Sequence, residues 1–220
     1  MRYYPVFLNI NNRPCLVVGG GGVGTRKVET LLDCGARVTV ISPQVSERLS
    51  ELAGQGRIVL IQREYRETDL GDAFLVIGAT DNPAVNHRLH RNAEARGRLC
   101  NIVDQPDRCN FVLPAVIRQG DLSIAVSTAG KSPAFARHLR RQMESMFGPE
   151  YGPFLDLMGA IREKLLARKH PPEYRKSLFE QLIRSSLLEM IVQDDRQAIN
   201  ALLNQVLGPG YGYEDLMETK

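Results

Sequence analysis

Gly19, Gly20, Gly21 and Gly22, then Val23 and Gly24, follow directly on the apolar run 15–18 (CLVV). So much glycine at the end of a β-rich run constrains the fold strongly. The stretch 25–33 carries Val28, Leu31 and Leu32 at helical spacing and stops before Gly35, a natural helix terminator. Gly19, Gly21 and Gly24 therefore form a Gly-x-Gly-x-x-Gly turn between a strand and a helix, the context that gives this motif meaning. Gly19 permits the tight turn, Gly21 lets backbone approach a pyrophosphate, and Gly24 allows close helix–strand packing. The free N–H groups of the helix start, with Gly22 and Val23 in the turn, favour phosphate charge. No Gly-Lys-Ser/Thr follows, so an ATPase-type phosphate loop is excluded.

Further β-rich runs lie at 37–41, 58–61, 74–77 and 99–103, and a helix over 82–96 opens with Asn-Pro. Alternating strands and helices predict a Rossmann-like α/β domain with a parallel sheet, over 1–113. Beyond it, 111–113 and 122–126 read as short strands, and Ser132-Pro133 starts a helix with apolar Phe135, Leu139, Met143, Met146 and Phe147. A small dimerisation and substrate unit is expected over 114–148. A helical C-terminal domain over 149–220 follows, with stripes at Phe154 to Leu165, Leu178 to Leu187 and Ile199 to Val206, the last capped by Asp194 or Asp195.

The second half of the dinucleotide fingerprint departs from the usual pattern. Where an Asp or Glu would bind the ribose, the second strand ends in Ser42, Pro43 and Gln44. These and the backbone can hydrogen-bond a ribose, and no cation sits there for a 2′-phosphate, so NAD is favoured over NADP; FAD and a purely structural Rossmann domain stay open on this feature alone. Cys15, Cys34, Cys100 and Cys109 form no Cys-x-x-Cys pair and read as inert thiols rather than ligands. His87 and His90 lack a third ligand, and no metal site is expected. No apolar run approaches the length of a membrane helix, and 1–10 does not read as a signal peptide. A cytoplasmic protein is expected, with no nucleic acid or membrane partner.

Tyr4-Pro5-Val6-Phe7, the run from Gly19 to Lys27, Ala79-Thr80-Asp81, Asn101-Ile102-Val103-Asp104 and Gly130-Lys131-Ser132-Pro133 occur in this order. Together they resemble the precorrin-2 dehydrogenase family of sirohaem biosynthesis, including the dehydrogenase/ferrochelatase part of sirohaem synthase. The resemblance covers about 1–150. It implies NAD-dependent oxidation of precorrin-2 to sirohydrochlorin on a homodimer. Some members also insert ferrous iron, so a bifunctional dehydrogenase and ferrochelatase is the alternative; a non-catalytic NAD-sensing module is the alternative from another class. No methyltransferase domain follows in the sequence, which reads as a stand-alone version. Gly24 stands where the family has alanine, and Gly22 where members often carry a charge.

Asp104 is the candidate base. It ends the fifth strand, and ligands of open α/β sheets bind beyond the carboxyl ends of the strands. The family motif points to the same residue. Asp81 is the rival, better read with Asn82 as a cap of the following helix. Thr80 is expected near the dinucleotide. Between 118 and 176 there are eleven Lys and Arg, among them Lys169, against six Asp and Glu, in a chain of net charge +3. That bias suits a tetrapyrrole polycarboxylate, with Lys131, Ser132 and Arg137 as candidate contacts, and Asn110 and Phe111 as candidate ring contacts.

Overall fold

A computed structural model describes residues 3–168 and 170–218, and the chain divides between Leu113 and Pro114 into two compact units. Lys169 of the basic stretch lies outside the described residues.

In the first unit, β1 (Pro14–Gly20), α1 (Gly22–Asp33), β2 (Arg37–Val45), α2 (Glu47–Gly54), β3 (Ile58–Ile61), β4 (Leu75–Gly78), α3 (Pro83–Ala95) and β5 (Leu99–Ile102) follow one another. The five strands are parallel in the order β3-β2-β1-β4-β5, the Rossmann-like sheet expected. Alternation along β1 explains the layers. Cys15 and Val17 join one buried cluster with Val28 and Leu31 of α1 and Leu49 and Leu52 of α2. Leu16 and Val18 face the other way, onto Leu89 and Ala93 of α3. Both faces of the sheet are covered at its centre, and burial pushes the Cys15 and Cys100 thiols up to about 11 and about 12.

Two elements differ from expectation. α2 escaped notice, since only Leu49 and Leu52 mark its buried face; Ser46 caps it, its Oγ accepting from Leu49 N–H at 3.3 Å. α1 begins at Gly22, with Gly21 as N-cap, rather than at Thr25. The last glycines of the turn are thus the first residues of the helix.

A bidentate pair fixes the β3–β4 connection. Arg63 donates from Nη1 and Nη2 to Asp69 at 2.7 and 2.6 Å, and Arg66 N–H adds a third bond at 2.7 Å. Hydrogen bonding to Arg63 holds the Asp69 carboxyl below its ordinary 3.8. The stabilisation is complete above that value and is lost as pH falls through the depressed one. Asp69→Asn is expected to lower the urea midpoint at pH 7 by the equivalent of about 1–2 kcal/mol, and to shrink the further loss seen on acidifying wild type to pH about 3.

The second unit opens with the antiparallel hairpin β6 (Ala115–Gln119) and β7 (Leu122–Val126). Its turn residue Gly120 has φ +57°. The strand expected at 111–113 is absent; β6 starts at Ala115, because the chain before it serves the edge of β5, as described below. α4 (Pro133–Met146), α5 (Tyr151–Ala167), α6 (Pro172–Arg184), α7 (Leu187–Val192), α8 (Arg196–Leu207) and α9 (Tyr213–Met217) complete the unit. Leu157, Ile161, Leu182, Leu187, Ile199 and Leu203 form its core, whereas Ile183 of the expected stripe is 62% exposed. Asp195, not Asp194, caps α8, accepting from Ala198 N–H at 2.9 Å. The boundary expected at 148 falls inside this unit. There the Gly120 backbone packs on Gly152 of α5, and Gln119 Nε2 donates to the Phe147 carbonyl at 2.9 Å.

Candidate active site

Three segments leave the carboxyl ends of adjacent parallel strands: the glycine turn from β1, Ala79-Thr80 from β4, and Val103-Asp104 from β5. Each glycine of the turn answers a different neighbour. Gly19 has φ +118°, and a Cβ there would run into the Ala79 carbonyl oxygen. A Cβ on Gly24 would strike the Gly19 carbonyl, and one on Gly20 the backbone of Gln44. At Gly21 and Gly22 a Cβ would meet nothing within 4 Å. These two border open space, and there the N–H groups of Gly22, Val23 and Gly24 precede the first bond of the helix, from Thr25 N–H to the Gly21 carbonyl at 2.9 Å. Gly21 has no side chain to cap α1. The donor set and the space fit a pyrophosphate.

The surrounding loops are fixed. Thr25 Oγ1 donates to the Gly21 carbonyl at 3.0 Å and lies 2.8 Å from Ser46 Oγ, tying the turn to the start of α2. Ala79 N–H bonds the Val18 carbonyl at 2.7 Å. Thr80 Oγ1 accepts from Asn82 N–H at 3.2 Å, and its carbonyl from Asn86 Nδ2 at 2.9 Å. Asn82 caps α3, accepting from Ala84 and Val85 N–H, so the cap expected of Asp81 or Asn82 is Asn82. Asn86 Oδ1 is buried beside Gly78 with no partner among the described residues.

The ribose end corrects the expectation for Ser42. β2 does not stop at Ile41 but runs on through a register shift that pairs Val45 with Gly20. Ser42 is 7% exposed and donates to the Gln44 carbonyl at 2.6 Å, so its hydroxyl braces the strand end. Pro43 and Gln44 are exposed. Arg48 of α2 does not supply a free cation for a 2′-phosphate: it pairs with Glu29 at 3.0 Å and Glu51 at 3.1 Å.

Asp104 is exposed, with φ +59°, a left-handed conformation that Asp tolerates better than most residues. Val103 N–H bonds the Gly78 carbonyl at 2.9 Å and Gln105 N–H the Ile102 carbonyl at 3.2 Å, closing the turn. Two strand spacings, about 10 Å, separate β1 from β5. Lys27, within the family motif but given no role from sequence, is half-buried on α1. Burial and then Arg26 push its ammonium down from 10.5, and the Asp104 carboxylate pulls it back up. Lys27 therefore senses the Asp104 carboxylate.

Asn110 and Phe111 are used differently from expected. Asn110 Oδ1 accepts from Cys100 N–H at 2.8 Å and Nδ2 donates to the Arg98 carbonyl at 2.7 Å. Its amide thus hydrogen-bonds the outer edge of β5. Phe111 packs partly buried against the first core, and its carbonyl accepts from Asn101 Nδ2 at 3.1 Å. In the second unit, Ser132 caps α4 by accepting from Phe135 N–H at 3.2 Å, while Lys131 and Arg137 are exposed.

Residues 6–115 match the family described as "Putative NAD(P)-binding", and residues 119–146 match the sirohaem biosynthesis protein central family. The chain belongs to the putative NAD(P)-binding family. The resemblance read from the motifs is borne out, and the nicotinamide dinucleotide expected from the glycine turn agrees with it. The chain is 36% identical over 211 residues to the sirohaem synthase of Nitrosococcus oceani, covering 96% of this chain and 45% of that protein. It is 35% identical over 211 residues to that of Actinobacillus succinogenes, covering 96% and 44%. The chain thus spans less than half the length of these relatives. Among solved structures it is similar to a precorrin-2 dehydrogenase, SirC, with a TM-score of 0.76 and 27% identity over 93% of this chain and 98% of that one. Among the described residues no helix is long and apolar enough to cross a membrane.

Proposed function

We propose that this chain oxidises precorrin-2 to sirohydrochlorin with NAD as hydride acceptor. The observation that carries this reading is the convergence, at the carboxyl edge of one sheet, of an open glycine cradle and the Asp104 carboxylate, in a chain similar over nearly its whole length to a precorrin-2 dehydrogenase. Bound NAD supplies the electrophilic nicotinamide carbon that receives a hydride. The protein's part is to bind, orient and deprotonate. The N–H groups at the start of α1 hold the pyrophosphate, and Gly21 and Gly22 leave it room. Pro43 and Gln44 border the ribose, and the pairing of Arg48 with Glu29 and Glu51 favours NAD over NADP. Asp104 accepts the proton lost from the macrocycle. Lys131, Ser132 and Arg137 receive substrate carboxylates.

The same reading makes the protein a cytoplasmic homodimer. One observation supports the dimer. The apolar face of α4 is largely uncovered, with Phe135 52% and Met146 67% exposed. Sedimentation velocity should give twice the chain mass. Mixing protein, NAD and precorrin-2 should produce a substrate-dependent rise in NADH absorbance. NAD binding with no such rise would point instead to a sensing module.

A further inference from the structure

β5 is an edge strand, and residues 109–110 close it. Its outward N–H groups, at Cys100 and Ile102, meet Asn110 Oδ1 at 2.8 Å and Cys109 Sγ at 3.2 Å. The two contacts do different things. Asn110 grips the strand from Arg98 to Cys100, upstream of the turn. Cys109 grips the turn itself. Its sulfur accepts from Ile102 N–H, and its S–H lies 3.3 Å from the Ile102 carbonyl and 3.2 Å from the Gln105 carbonyl. Ile102 and Gln105 are the residues on either side of Val103-Asp104, and Asp104 is the member with positive φ. A thiol has one proton and a soft acceptor, enough to hold one strand N–H and one of two carbonyls at a time. Its larger radius spans a gap that a first-row atom fills less well.

We propose that the Cys109 thiol is a positioning residue for Asp104, holding closed the left-handed turn from which the carboxylate projects. This rests on the reading of Asp104 as the base. The side-chain hydrogen bonds of Cys109 go to Ile102 and Gln105, so its effect reaches the chemistry through the 102–105 backbone. Serine keeps a donor and an acceptor on a shorter stem; alanine removes both.

The test compares wild type, Cys109→Ala and Cys109→Ser, each with Asp104 and with Asp104→Asn, in precorrin-2 turnover, NAD affinity and amide hydrogen exchange. Cys109→Ala should lower kcat about tenfold with NAD Kd unchanged, and Cys109→Ser should stay within about threefold of wild type. In the Asp104→Asn background Cys109→Ala should change kcat less than about twofold, because the group it positions is already gone. A merely structural cysteine would lower the rate equally in both backgrounds. Without any ligand, Ile102 and Gln105 amides should exchange about tenfold faster in Cys109→Ala, with Cys100, held by Asn110, unchanged. Equal losses in both backgrounds, a kcat within twofold of wild type, or unchanged Ile102 exchange would each overturn the proposal. Wild-type protein that binds NAD but leaves precorrin-2 untouched overturns the functional reading instead, and the exchange arm then decides alone whether the thiol holds the turn.

Discussion

Asp104→Asn is expected to cut precorrin-2 oxidation by a factor of about 10²–10⁴, the range a general base contributes, while NAD Kd stays within about twofold. Asparagine is the informative replacement. It shares with aspartate the tolerance for φ +59°, so the Val103–Gly78 and Gln105–Ile102 bonds that close the turn survive. What disappears is one negative charge and one proton acceptor. Alanine would confound this by straining the turn. The readouts are steady-state rates against precorrin-2 and a separate NAD titration. A rate within tenfold of wild type would place the base elsewhere. Loss of NAD binding would mean that the substitution had disturbed the sheet edge rather than the chemistry.

The second large effect is a contrast between two glycines two residues apart. Gly19→Ala forces a Cβ onto a residue at φ +118° and into the Ala79 carbonyl. Backbone strain and overpacking together predict a loss of about 2–5 kcal/mol in chemical denaturation. Gly21 has φ −76° and ψ −175°, ordinary extended backbone, and its Cβ would meet nothing within 4 Å. Gly21→Ala should therefore leave stability within about 0.5 kcal/mol of wild type and still weaken NAD more than about tenfold, because the methyl occupies the approach of the pyrophosphate. A destabilised Gly21→Ala, or one that binds NAD normally, would remove the glycine cradle from the site.

The frame of the first unit was legible because each strand–helix step carries its own signal: apolar runs at the strands, glycine at the turns, Asn-Pro at the start of α3. Asp104 was legible as a strand-end carboxylate. Other features depend on contacts distant in sequence. Ser42 looked available until β2 continued through Pro43 and turned the hydroxyl onto the Gln44 carbonyl. Phe111 read as the start of a short strand, and Asn110 and Phe111 as candidate ring contacts. Their hydrogen bonds go to β5, about ten residues earlier, and no local pattern encodes that pairing. Lys27 stood inside a recognised motif, yet only the fold brings it under the influence of Asp104.

The strap formed by Cys109 and Asn110 also governs how the sheet can end. An unpaired edge is a template for any extended chain, and along β5 that template is already filled at Arg98, Cys100 and Ile102. Growth by strand addition is left to the opposite margin, β3. There the strand is four residues long, with Arg57 just before it and Val59 59% exposed. Charge beside so short a strand is the usual guard against runaway pairing. Neutralising Arg57 should turn a self-limiting sheet into one that nucleates fibrous aggregates under mild destabilisation, beginning at β3.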